Sequence, residues 1–290
     1  MYLMKSKVIF LSVIFGLLLG GCNRQTPEED DFDVIIFINA KSLSGSLLKS
    51  DVSEAENAIE KLIIYGVDED NNVTTFPVEQ TPLTNGSNIE IKSTKNIKTF
   101  YAIANPSPAI EAQNPATDAA LTEMLADFEF MPQSPFLMSG KADKNGKFVN
   151  IELVRAVAKV EIFGLNDFEI QTVTVVNTPD RGYVFDRNGA VPTDLRIDYP
   201  PINTASPNIY VAENLASTPT IFRVTGIFED KNASYDIVLK VGEAVAILRN
   251  THYLVSITPK TDDECTISVD IPGWIEQDTD VHIIPDDKFQ

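Results

Sequence analysis

The chain has 290 residues, 43% of them apolar, and a formal net charge of −19. Such an excess of acid weighs against nucleic acid as a partner, because phosphate binding needs basic patches that release counterions. It suits solubility outside a cell, and the length and apolar content suffice to bury one large core or two modest ones.

In chain order, the first element is a targeting segment. Lys5 and Lys7 form a positive n-region, and Val8 to Leu19 is an apolar run too short to span a bilayer comfortably. It ends in Leu18, Leu19, Gly20, Gly21 and Cys22, where small residues fit a peptidase pocket and the thiol accepts a diacylglyceryl group. Residues 1–21 are therefore expected to be a lipoprotein signal peptide, cut before a lipidated Cys22. A diacylated Cys that is also N-acylated holds firmly in a membrane leaflet. Residues 22–31 then carry the lipid on an acidic linker, NRQTPEEDD after Cys22, which reads as an unfolded stalk. Its acids are similar to the surface-export signal of Bacteroidota lipoproteins, set further from the Cys.

Beyond the linker, short β-rich runs alternate with turn signals. Ile59 to Val67, Thr99 to Ala104, Val149 to Phe163, Ile170 to Val176, Thr220 to Phe228, Tyr235 to Val241 and Tyr253 to Thr258 predict an all-β protein. Asn-Gly pairs at Asn85, Asn145 and Asn188 predict type I′ hairpin turns, which need positive φ at both central positions. Two short accessory helices are expected. Thr117 to Phe128 places Leu121, Leu125 and Phe128 on one helical face, and Ser53 with Glu56 makes a capping box ahead of Ala55, Ile59 and Leu62. So many strands suit two sandwiches in tandem, 32–165 and 166–290, with a junction in Gly164 to Phe168 (GLNDF).

Several residues suggest chemistry without completing it. Asp68, Asp70, Asn72 and Glu79 fall at the first, third, fifth and twelfth places of a calcium loop, but Val73 sits where Gly is required, so a polar hairpin turn is expected. His252 and His282 belong to no metal-spaced or catalytic signature, and His252 reads as a structural histidine beside Tyr253. Trp274 reads as a packing residue. With Cys22 consumed by lipid, Cys265 has no disulfide partner and reads as a buried packing residue. No catalytic residue, metal site or cofactor is predicted, and the chain is not expected to be an enzyme.

The stretch from Ile151, IELVRAVAKVEIFGL, resembles the hallmark strand of the fimbrillins, the type V pilin subunits of Bacteroidales. EKLIIYGVDEDNN, FYAIAN, FLMSGKA, IYVAEN, LRNTHYLVSI and SVDIPGW follow the same family in order, so the resemblance covers nearly the whole mature chain. Read as one strand, the hallmark puts Val154, Ala156, Ala158 and Val160 on one face and Leu153, Arg155, Val157, Lys159 and Glu161 on the other. Arg155 and Lys159 then read as strand-surface charges.

The resemblance implies two transthyretin-like β-sandwiches and a lipoprotein precursor anchored in the outer membrane. It also implies that a surface protease of trypsin-like specificity cuts the loop after the first strand, which departs with its lipid. Another subunit's strand then fills the gap, by pairing with exposed backbone and apolar groove. The first strand would be Asp33 to Asn39, with Val34, Ile35, Ile36, Phe37 and Ile38 apolar enough to be buried on both faces. The loop from Ala40 to Ser50 holds Lys41 and Lys49 and no Arg, whereas cuts in this family often follow Arg; cleavage is expected after Lys49, with Lys41 the alternative. The donor strand is expected at the C-terminus, where Val281 and Ile283 alternate with His282 and Ile284. The implied role is a fimbrial stalk subunit supporting adhesion to a host or bacterial surface receptor, with other fimbrial subunits as partners. Within the family the alternatives are an anchor or a tip subunit. From another class, a surface glycan-binding lipoprotein would share the acidity, lipid and sandwiches but would need a platform of exposed aromatics.

Overall fold

The structure, a computed structural model, describes residues 34–41, 54–78, 81–92, 94–187, 190–192, 195–203, 208–241, 244–261 and 264–271. The signal peptide and linker expected over 1–31, the hairpin at Asn188, Trp274 and His282 lie outside these residues.

The strands in chain order are β1 (Val34–Ala40), β2 (Leu62–Asp68), β3 (Val73–Pro77), β4 (Ser87–Ile91), β5 (Ile97–Ala104), β6 (Leu125–Asp127), β7 (Met138–Asp143), β8 (Phe148–Arg155), β9 (Val157–Gly164) and β10 (Glu169–Val176). They continue with β11 (Thr178–Pro179), β12 (Arg181–Tyr183), β13 (Arg196–Ile197), β14 (Asn208–Ala212), β15 (Ile221–Phe228), β16 (Lys231–Val238), β17 (Lys240–Val241), β18 (Ala244–Val245), β19 (His252–Pro259) and β20 (Cys265–Asp270). Helices are short: a 3-10 turn at Glu54–Asn57, α1 (Pro108–Ala112) and α2 (Asp118–Thr122). The protein is all-β with accessory helices, as its alternating runs predict.

The first seven-stranded sheet has the order β3-β2-β5-β7-β8-β1-β4. It folds on itself where β7 and β8 pair through only Met138 with Arg155 and Ser139 with Val154. Gly140 allows that close passage, since a Cβ there would lie 2.2 Å from the Glu152 carbonyl oxygen. One core then joins Ile36 and Ile38 of β1 and Ile151 of β8 to Ile64 of β2 and Phe100 of β5. In the second half a four-stranded sheet, β14-β9-β19-β20, faces a three-stranded one, β10-β15-β16. Val160, Tyr253 and Val255 pack there against Val173, Phe222 and Val224. A third cluster bridges the halves: Tyr101, Ile110 and Leu121 meet Ala156, Phe185 and Ala212. The pairing of β6 with β12 ties them further.

The hallmark stretch is two strands, not one. Val149, Ile151 and Leu153 face the first core, whereas Ala158, Val160 and Ile162 face the second, so the inward positions change from odd to even across Ala156. A period-2 strand can make that change only by breaking its ladder. The break is satisfied locally, because the Ala156 N–H donates to the Leu137 carbonyl at 3.0 Å. The chain thus crosses between sheets at Ala156. The GLNDF segment instead turns β9 toward β10, with Asn166 and Asp167 at φ 52 and 60° and the Phe168 N–H donating to Leu165 O at 3.2 Å.

Local expectations were altered in three places. The run from Thr117 is helical only over α2, where the Thr117 hydroxyl accepts from the Ala120 N–H; beyond it Leu125 to Asp127 pairs as β6 with β12, which takes up its backbone groups in place of a further helical turn. The segment at Glu56 is one 3-10 turn, after which Ile59 bridges to Leu83 and Leu62 opens β2. Two-residue type I′ geometry joins β15 to β16 at Glu229 and Asp230, φ 49 and 62°, rather than at the described Asn-Gly pairs, Asn85 and Asn145. At those pairs Gly86 and Gly146 carry positive φ, while neither Asn85 nor Asn145 is among the positive-φ residues described.

Candidate functional site

The candidate site is β1 and the groups that hold it. β1 lies inside the sheet, parallel to β8 on one side and antiparallel to β4 on the other. Alternation along VIIFINA buries Val34, Ile36 and Ile38, while Ile35 and Phe37 are half-buried on the opposite face. Among the described residues the strand is thus fully buried on one face only; on the other, Phe37 meets the 63% exposed Phe148, with ring centroids 6.2 Å apart. Each fully buried isoleucine still favours the seated strand by about 1.5–3 kcal/mol. The ladder is extended at both ends: Ile35 N–H donates to Lys147 O at 2.9 Å, Lys41 N–H to Leu153 O at 2.8 Å, and Ala40 N–H to the Asn85 side-chain oxygen at 2.7 Å.

Arg155, expected on the strand surface, is 1% exposed. The end of β8 points its guanidinium into the junction between the halves. Nη1 donates to the Lys41 carbonyl at 2.7 Å and to Asn250 Oδ1 at 2.8 Å, Nε donates to the Glu56 carbonyl at 3.0 Å, and Nη2 donates to Asn57 Oδ1. A planar fork can satisfy these separated acceptors at once; an ammonium could not. Burial lowers the Arg155 pKa, and the charge of Glu56 opposes that effect.

Lys159, the second charge expected at the surface, is 7% exposed. Its Nζ lies 3.3 Å from the Glu56 carboxylate and 3.0 Å from that of Glu161, and the Tyr210 hydroxyl donates to Glu56 as well. His252 Nε2 is 3.2 Å from Glu161. Burial, followed by the hydrogen bond to Glu56, raises the Tyr210 hydroxyl well above its ordinary range. These buried charges are tolerable because each meets an opposite charge or an oriented dipole. Neither Arg155 nor Lys159 could be recognised as buried from an alternating strand, since the acceptors of Arg155 and the Glu56 partner of Lys159 are remote in sequence and only Glu161 is near.

Of the predicted processing residues, Lys41 is described and Lys49 is not. The Lys41 backbone is engaged on both sides, by Leu153 O and by Arg155, while its side chain is half-exposed and 3.9 Å from Glu152. Cys22, Val281 and Ile283 lie outside the described residues.

The remaining candidates resolve as structural groups. Asp68 accepts from the N–H groups of Asp70 and Asn72 at 2.9 and 2.8 Å and from the Asn72 amide, which lowers its pKa and closes the β2–β3 turn; Glu79 lies outside the described residues. Among the described residues, no group of three or more His, Cys, Asp or Glu is placed to hold a metal ion. Cys265 is fully buried, which pushes its thiol up to about 11. A cleft of about 520 Å³ opens beside β8, lined in part by Lys141, Asn150, Glu152 and Arg249. Its Arg249 is committed to Glu213 at 2.9 Å and to the carbonyls of Tyr183 and Val184.

No family model and no curated protein sequence matches the chain. Solved structures do match. The tip fimbrial protein Mfa3 from Porphyromonas gingivalis superposes with a TM-score of 0.59 at 14% identity, covering 83% of this chain and 100% of that one. A fimbrial assembly protein from Parabacteroides distasonis gives 0.57 at 13% identity, covering 88% and 99%. A fimbrilin from Porphyromonas gingivalis gives 0.54 at 11% identity, covering 84% and 98%. At these identities the likeness establishes a shared fold, spanning nearly all of each relative.

Proposed function

We propose that the chain is a fimbrillin-type fimbrial subunit, exported as a lipoprotein on Cys22 and activated when β1 is cut free and another subunit's strand takes its place. The observation that carries this reading is the place of β1 inside its sheet. Its departure would leave β8 and β4 with unpaired edges facing each other and would open the apolar slot now filled by Val34, Ile36 and Ile38. An extended apolar strand from a second copy satisfies the same backbone groups and the same slot, which is strand addition in its ordinary physical form. The likeness to fimbrial structures over most of the chain supports the reading.

In this scheme the two sandwiches of transthyretin-like type are the working body. The protease cuts after Lys49 rather than Lys41, because a protease must draw an extended, unpaired segment into its cleft and Lys41 is paired. The C-terminal segment with Val281 and Ile283 is the donor, other fimbrial subunits are the partners, and the product is a cell-surface stalk supporting adhesion.

Electron microscopy of the purified chain before and after limited trypsin treatment tests the scheme. Filaments that form only after treatment, with a mature N-terminus at Ser50, are expected. Assembled material that still begins at Cys22 would overturn it.

A further inference from the structure

The segment 42–53, which holds Lys49, leaves the described structure at Lys41 and returns to it at Glu54. Both of its flanks meet one side chain. Arg155 donates to the carbonyl of Lys41 at the departing end, and to the carbonyl of Glu56 and the side chain of Asn57 at the returning end. The same guanidinium reaches Asn250 of the second half, whose own N–H donates to Val157 O at 2.8 Å. A residue at 1% exposure, at the end of its strand, therefore clasps the end of β1, the start of the body and the second sandwich together.

We propose that Arg155 is a clamp that keeps a cut chain whole, so that proteolysis between Lys41 and Glu54 and release of β1 are two separate events. The proposal rests on the strand-release reading above and adds a regulated step to it. Cutting a peptide bond in the 42–53 segment removes the covalent connection between β1 and the body but touches none of the hydrogen bonds that converge on the guanidinium. The severed β1 stays seated, shielding its slot. It leaves only when its Lys41 carbonyl is withdrawn from Arg155, and that carbonyl sits at the end of the strand nearest the cut, where fraying would begin. While the clasp holds, the apolar slot is not offered to solvent or to unrelated chains; an incoming donor strand must compete for it. Arg155 is thus a positioning residue for strand exchange. Three of its contacts hold the guanidinium in place from the body side, so they remain after β1 has gone and keep the fork aimed at the position an incoming strand's carbonyl would occupy.

The test uses the full chain and limited trypsin. Cutting is followed by the mass of the fragments under denaturing conditions, and retention of the fragment carrying Val34 to Ala40 by size exclusion under native conditions. Wild type is expected to be cut within 42–53 and to keep that fragment for much longer than the cutting takes. Arg155→Lys, which preserves charge but not the fork, is expected to be cut at the same rate and to lose the fragment about tenfold faster, the effect of one charge-assisted hydrogen bond. Asn250→Ala, which frees Nη1 from the far side of the junction, should speed release without touching the loop. It decides the matter, together with Asn57→Ala, if Arg155→Lys does not fold. Equal release rates in wild type and folded variants, or loss of the fragment from wild type as fast as it is cut, would overturn the clamp and leave the processing reading standing. No cut within 42–53 would overturn the processing reading and the clamp with it.

Discussion

Ile38 of β1 stands beside Ile151 of β8 in the parallel ladder, and both are fully shielded from solvent. They anchor the strand on its buried face, whereas Ile35 on the same strand is only partly buried. Ile38→Ala is therefore expected to destabilise the chain by about 2–4 kcal/mol and Ile35→Ala by less than about 1 kcal/mol. Urea unfolding of the two variants measures the difference. Equal losses would contradict the one-sided burial of β1.

The engagement of the Lys41 backbone leads to a prediction about where a protease can act. Lys49→Gln should abolish the first tryptic cut after β1, and Lys41→Gln should leave its rate unchanged. Sequencing the new N-terminus distinguishes the two. A first product beginning at Ser42 would show that the hydrogen bonds of Lys41 to Leu153 and Arg155 do not protect it.

The buried charges around Lys159 should be coupled. Lys159→Met leaves Glu56 and Glu161 facing each other without the intervening ammonium and is expected to cost about 3 kcal/mol or more. Adding Glu56→Gln removes one of the two carboxylates and should recover part of that loss, giving a favourable interaction energy in the double-mutant cycle. Additive losses in thermal or urea unfolding would show that the three groups do not act together.

Alkaline pH should weaken the fold in steps. Burial raises Cys265 from 9.0 to about 11, and Tyr199 and Tyr253 from 10.0 to about 12. Each group loses its proton more readily in the unfolded chain, so between the two pKa values the folded state binds more protons and stability falls as pH rises. The stabilisation is intact below pH 9 and is lost between about pH 9 and 12. Cys265→Ala should flatten the first part of that decline in a plot of Tm against pH. The same burial predicts that thiol reagents label Cys265 only on unfolding.

Much of the fold was legible because most strands alternate simply. β2, β5, β10, β15, β16 and β19 all coincide with apolar runs bounded by turn residues. The break at Ala156 was not legible, because RAVAKV reads as one unbroken alternation and nothing local marks the residue at which the inward face changes parity. The Arg155 node was hidden for a different reason. Its acceptors are backbone carbonyls 114 and 99 positions away and side chains 95 and 98 positions away, so only the closed fold brings them together. A charged residue on a strand is ordinarily solvated, and that rule fails where a junction supplies carbonyl and amide oxygens in place of water. The one-sided burial of β1 was not legible, because a continuous apolar run gives no sign of which face packs into the core.

The parallel pairing of β1 with β8 also sets an order of events for a chain that emerges from its N-terminal end. β4 can meet β1 early, but two strands alone make a ribbon of marginal stability. The other neighbour, β8, arrives only when residues more than a hundred positions later have appeared, and long-range parallel pairing is slow. Until then the first half cannot close. Since β8 passes into β9 through the single residue Ala156, the segment that completes the first half also opens the second. The second core closes later again, because β9 finds its own parallel neighbour only in β19, near the other end of the described chain.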